Sequence, residues 1–245
     1  MTHSIAPNRG RWYTVSVNTQ VLWKRYKPYV LALAAPCGGA LFLLGLRFLL
    51  TGSAYFGFMT WNLTLSVFAL LAAFTAAHFW KQKRLWYTVV ALVVWLALLP
   101  NTFYMLTDLI HIYESSDINV LYDIVMLSLF ILAGFMQGWL ALYVVHKRAA
   151  AYFGRQYAHG AAIVTILASS FAIDIGRYLR WNSWDILVNP RALLLDLSDT
   201  ILNPSNYNRS FMVTGVFFIM IGVSYYSFYM VVERLRSHRA SDKVQ

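Results

Sequence analysis

The sequence is short of charge, and of acid most of all. Charged residues make up 12% of the 245 residues, and 10 Asp and Glu stand against 20 Lys and Arg. Soluble domains carry about 25% charged residues. With 59% of residues hydrophobic, a soluble fold is excluded. Cysteine is almost missing. Cys37 stands alone, so neither an internal disulfide nor a thiolate metal centre can be built. Nucleotide-binding glycine loops, the GxSxG nucleophile turn and the HExxH zinc helix are all lacking. So are internal repeats and low-complexity stretches. An inverted-repeat transporter would show paired broken helices in its two halves, and only one apolar block here looks broken.

What the chain has instead is six long apolar blocks, over about 29–50, 60–79, from 85 onward, 120–146, 157–178 and 210–232. Each approaches the ~20 residues that a bilayer core of ~30 Å demands. In lipid every backbone polar group must be satisfied within its segment, so the blocks are expected to be helices. The expected fold is all-α, a polytopic transmembrane bundle of six helices. Residues 1–28 form a basic leader, 29–233 the transmembrane domain and 234–245 a basic tail. The first block follows a long leader and outruns a signal-peptide core, so no cleavable signal is expected. The aromatics Trp12, Trp23 and Tyr26 of the leader suit a membrane surface.

The cations set the orientation. Arg9, Arg11, Lys24, Arg25 and Lys27 precede the first block. Lys81, Lys83 and Arg84 follow the second, Lys147, Arg148 and Arg155 the fourth, and Arg234, Arg236, Arg239 and Lys243 the sixth. The opposite side has only Arg47, Arg177, Arg180, Arg191 and Arg209. Such a split predicts both termini in the cytoplasm. It also accounts for the net charge of +10 without nucleic acid, because the cations lie where they orient helices and meet anionic lipid. Membrane lipids are therefore the first expected partners.

The acids run the other way. Asp108, Glu114, Asp117, Asp123, Asp174, Asp185, Asp196 and Asp199 all fall on the outer side, several of them inside apolar blocks. Only fifteen residues separate Arg84 from Pro100, about 22 Å of helix, so the third block must continue past the proline. Pro100 is expected to bend or interrupt that helix. In the last outer loop, Asn189-Pro190 can open a short amphipathic surface helix over 191–202, closed by Asn203-Pro204.

Continued as an α-helix past Pro100, the chain puts Asn101, Tyr104, Asp108 and His111 on one face. Asp108 and His111 can orient an imidazole for proton transfer or supply two metal ligands. A stabilised helix end would use the same residues. Arg47, Asp123 and Asp174 fall at a similar depth, and a charge there costs a few kcal/mol unless paired. The expected pairs are Arg47 or Arg177 with Asp123 or Asp174. Asp108, His111, Asp123, Asp174 and Arg177 are predicted to form one cluster, and Asp108, Asp123, Asp174 and His111 are the candidate metal ligands. Arg177, Arg180, Trp181, Asn182, Trp184 and Asp185 bring cations, aromatics and amides together, which suits phosphate or carboxylate capture and an interfacial anchor alike. His78, His146 and His159 read as helix-end residues, and Gly134 and Gly138 as a close-packing pair.

Two of these stretches resemble a known family. Leu99-Pro100-Asn101-Thr102-Phe103-Tyr104-Met105-Leu106-Thr107-Asp108-Leu109-Ile110-His111 and Gly176-Arg177-Tyr178-Leu179-Arg180-Trp181-Asn182-Ser183-Trp184-Asp185 look like domain of unknown function family 1361. The resemblance spans roughly the second to the sixth helix and leaves the leader outside. It implies a multi-helix protein of the bacterial inner membrane, and it brings no reaction, substrate or cofactor. The functional expectation is a polar site open to the outside. Asp108 and His111 would serve there as catalytic pair, with Asn101, Tyr104 and the Arg177–Asp185 stretch as the binding surface for an anionic, lipid-linked envelope molecule. A small transporter or channel, and a non-catalytic subunit bound to a membrane protein partner, are the alternatives.

Overall fold

The computed structural model describes residues 3–4, 14–15, 19–114, 118–178, 188–189, 191–192, 195, 198 and 208–241. Six helices form the frame: α1 Thr19–Thr51, α2 Phe58–Lys81, α3 Leu85–Tyr104, α4 Val120–Phe153, α5 Arg155–Tyr178 and α6 Asn208–Ser241. Each contains a stretch long and apolar enough to cross a membrane. Two-residue strands β1 His3–Ser4 and β2 Thr14–Val15 pair antiparallel within the leader, with His3 opposite Val15.

The helices outrun the apolar blocks at their basic ends. α1 starts ten residues before Tyr29, α4 continues to Phe153, and α6 to Ser241. Apolar length sets the span, but Lys, Arg and Ala are good helix formers and carry the coil onward into the polar layer. Gly154 then ends α4 in a left-handed conformation at φ 93°, its N–H bonded to the Ala150 carbonyl, and α5 begins at the next residue. The loop expected between the fourth and fifth blocks is thus a single glycine. Among residues 191–202, Arg191, Ala192, Leu195 and Ser198 are described and helical, and the rest of that expected surface helix lies outside the described residues.

α4 is the central helix. Half of its most apolar stretch is buried, against 11% in α1. One apolar core joins Trp95, Leu99, Phe103, Phe135, Leu142, Ile166, Ile221 and Tyr225, contributed by α3, α4, α5 and α6. A second gathers Ala40, Phe56, Met59, Met105, Ile112, Met126 and Phe130 under the opposite end of the bundle. Ser66 on α2 donates to Gln137 Oε1 on α4 at 2.8 Å, and Gln137 Nε2 donates to Cys37 Sγ at 3.1 Å.

Pro100 does not interrupt α3. The α-helix runs one further turn to Tyr104 and then tightens into a 3-10 helix over Met105–Glu114. Proline deprives the coil of one donor, and nearby side chains bond back to the backbone. Asn101 donates to the Leu98 carbonyl at 3.2 Å and Thr102 to that of Leu99 at 2.7 Å. Gly134 and Gly138 on α4 fix where this segment lies. A Cβ on either would collide with Thr102, and also with Met105 at the first and Phe103 at the second. The two glycines admit the end of α3 against α4, and so place the 3-10 helix over the bundle.

Candidate functional site

In a 3-10 helix residues three apart stand above one another. Asp108 and His111 therefore share a column, and both turn to Arg177 near the end of α5. Arg177 Nη1 donates to Asp108 Oδ1 at 3.2 Å, and Nη2 lies 3.0 Å from His111 Nε2. A guanidinium only donates, so Nε2 accepts and the imidazole proton sits on Nδ1. The second Asp108 oxygen takes a hydrogen bond from Asn62 Nδ2 on α2 at 3.0 Å. The Tyr104 ring faces Arg177 at 5.9 Å from its centroid, and Phe58 stands edge-on to His111 at 5.7 Å. Asp108 is sealed at 2% side-chain exposure, while Arg177 keeps 16%. The result is a cation held by a carboxylate, an imidazole and an aromatic face, and open on its remaining side.

A second ion pair lies behind the first. Arg47 Nε donates to Asp123 Oδ1 at 2.8 Å and Nη2 to Oδ2 at 3.4 Å, with side-chain exposures of 0% and 1%. The Phe56 ring faces Arg47 at 4.9 Å and lies 6.2 Å from that of Phe58. Phe56 and Phe58 thus form a short aromatic row between Arg47 and His111. Arg47 and both carboxylates are enclosed, and each arginine has a carboxylate partner, as the energetics of charge in hydrocarbon require.

The expected single cluster is thus divided. Arg47 pairs with Asp123, one of the combinations the sequence allowed. Arg177 pairs with Asp108 instead of Asp123 or Asp174. Asp174 is buried on α5, one turn below Arg177, and its Oδ1 has no hydrogen-bond partner among the described residues. Asp108 and His111 meet through the guanidinium between them. Among the described residues no three His, Cys, Asp or Glu side chains gather as metal ligands, so the four candidate ligands are not brought to one point. Arg180, Trp181, Asn182, Trp184 and Asp185 lie outside the described residues.

Sequence reasoning missed Asn62, Phe56 and Phe58. The signal for Asn62 was available: an amide inside an apolar block seeks a polar partner. Nothing in the pattern singles out the two phenylalanines among 16. His146 also differs from expectation. It is buried within α4, not placed at a helix end, and its Nδ1 lies 2.7 Å from the Tyr225 hydroxyl on α6.

No curated protein and no solved structure matches the chain. A family model does, over residues 61–232, from the second turn of α2 to within α6. It takes in Asn62, the 3-10 segment and Arg177, and leaves Arg47 and α1 before it. The chain accordingly belongs to the family described as Protein of unknown function (DUF1361).

Proposed function

We propose that this is a multi-pass protein of the bacterial inner membrane, both termini cytoplasmic, whose outward site binds an anionic, lipid-linked molecule through Arg177. The supporting observation is the environment of that arginine. Asp108, His111 and Tyr104 hold the guanidinium in one orientation, and its open side remains accessible. A phosphate or carboxylate approaching there meets a planar donor already aligned for it. Exposed Trp61 and Phe58 on the adjoining α2 suit the hydrocarbon part of such a molecule. Arg180 and the aromatic stretch to Asp185 extend the binding surface in this reading. An arriving anion competes with Asp108 Oδ1 and His111 Nε2 for the same donors. Displacement frees both as proton acceptors beside the bound head group, where they could act as general bases.

Transport is less well supported. It requires polar groups through the membrane depth, and Ser66, Gln137 and Cys37 bond one another while Thr75 donates to its own helix at Leu71. A subunit role would use the largely uncovered apolar faces of α1 and α6, the least buried of the spans.

Geranylgeranyl phosphate and uncharged geranylgeraniol, titrated against the detergent-solubilised protein, test the reading. The phosphate should bind at least about tenfold more tightly, a difference of ~1.4 kcal/mol. Arg177→Gln combined with Asp108→Asn, so that no sealed carboxylate is left without its cation, should abolish that preference while leaving the melting temperature within a few degrees. Equal binding of the two amphiphiles by the native protein would refute it.

A further inference from the structure

At the other end of the bundle a cavity of ≈340 Å³ lies between α2, α3, α4 and α5. Its walls are almost wholly apolar, with Leu92, Leu142 and Ala162 at the inside and Trp80, Phe153 and Tyr157 toward the basic end. That volume falls within the ~300–1,000 Å³ of small-molecule sites. Exposed Val93, Phe153 and Tyr157 on its rim leave it open sideways to lipid.

Two polar groups break the apolar lining. Trp95 and His146 both line the cavity and are 5% and 3% exposed, and Trp95 Nε1 and His146 Nε2, both enclosed, have no hydrogen-bond partner among the described residues. Elsewhere in the bundle the same chemistry is satisfied, since the Trp139 N–H donates to Ser224 at 3.2 Å. The Tyr225 hydroxyl meets His146 Nδ1. With tyrosine donating there, the ring proton sits on Nε2. Both orphaned groups are then donors, and an indole N–H can be nothing else. Both nitrogens are themselves enclosed, so the apolar walls set the occupant, and a hydrocarbon body fits them.

The charge around the mouth narrows the choice. Lys147 is engaged by Glu233 at 2.8 Å. Lys81 directly follows the lining Trp80, and Arg155 stands between the lining Phe153 and Tyr157. Both are exposed, and neither has an acidic partner among the described residues. We propose that the cavity binds one anionic phospholipid from the leaflet at the basic end. An acyl chain fills the apolar space beside Trp95 and His146, and the phosphate rests on Lys81 and Arg155. The site involves neither Arg177 nor its neighbours.

Native mass spectrometry of the detergent-solubilised protein tests this, with added dioleoyl phosphatidylglycerol or dioleoyl phosphatidylcholine as probes. The protein should retain one phosphatidylglycerol through activation energies that strip phosphatidylcholine. Lys81→Gln with Arg155→Gln should remove the preference, by about fivefold for each cation at ~1 kcal/mol. Ala161→Trp, or Val93→Trp on the facing helix, should block retention of either lipid with the melting temperature unchanged. Two variants guard against one that fails to fold. Arg177→Gln should leave retention as in the native protein, which separates this result from any failure at the other site. Equal retention of both lipids by the native protein would overturn the proposal, and so would undiminished retention in a folded tryptophan variant.

Discussion

Asp108 and Arg177 meet at 3.2 Å across 69 residues of sequence, the carboxylate sealed and the guanidinium partly open. That asymmetry separates this pair from Arg47–Asp123, whose members are both enclosed. Asp108→Asn should lower stability by about 1–2 kcal/mol, because Arg177 retains solvent access and its other contacts. Thermal melts in detergent check this. A loss as large as that from breaking the enclosed pair would place Asp108 in the scaffold.

Asp123→Asn leaves Arg47 enclosed without its counter-charge. The loss should reach about 3–5 kcal/mol, and replacing both residues by apolar ones of similar volume should recover most of it. A single variant that melts like the native protein would show that Arg47 reaches another anion.

Asp174→Asn should behave oppositely. The carboxyl is buried and Oδ1 has no hydrogen-bond partner among the described residues, so an amide of nearly equal volume breaks no bond there. Stability should hold within about 0.5 kcal/mol or rise. A marked fall would show that Asp174 holds a cation this account has not placed.

Gly134 and Gly138 should tolerate nothing larger. Alanine at either forces α4 off the turn after Pro100, with a loss of at least about 1–3 kcal/mol. Gly160→Ala on α5 is the matched control, where a Cβ meets nothing within 4 Å. It should stabilise by about 0.5–1 kcal/mol through helix propensity alone. Equal melting temperatures for the two kinds of variant would mean that the close approach is absent in solution.

The Lys/Arg split predicts a topology that labelling can check. In a Cys37→Ala background, Lys83→Cys should react with a membrane-impermeant maleimide only after the cytoplasmic face is exposed, and Asp117→Cys in intact cells. The reverse pattern would invert the bundle.

Much of this was legible in the sequence, because lipid makes strong demands. Apolar length gave the six spans, and the cost of charge in hydrocarbon required Arg47, Asp123, Asp108 and Arg177 to find partners. Which partners they found depends on helix rotation and on the approach of α3 to α4, and neither is written in spacing. The switch to a 3-10 helix at Met105 is the clearest case. It keeps Tyr104, Asp108 and His111 of the expected face together around Arg177, with Asp108 and His111 stacked in one column. The basic flanks misled in another way. They read as loops by polarity, yet Lys, Arg and Ala extend the helices, and only Gly154 marks where α4 stops.

The central claim is that an anionic head group reaches Arg177. The most direct measurement is photolysis of a prenyl phosphate carrying a diazirine in its first isoprene unit, with adducts mapped by peptide mass spectrometry. Adducts should fall on the Met105–Glu114 segment and on α2 between Phe58 and Asn62. They should be displaced by excess unlabelled phosphate and missing from Arg177→Gln. Labelling that persists in Arg177→Gln, or that maps instead to Trp80 and Tyr157 at the basic end, would contradict the account.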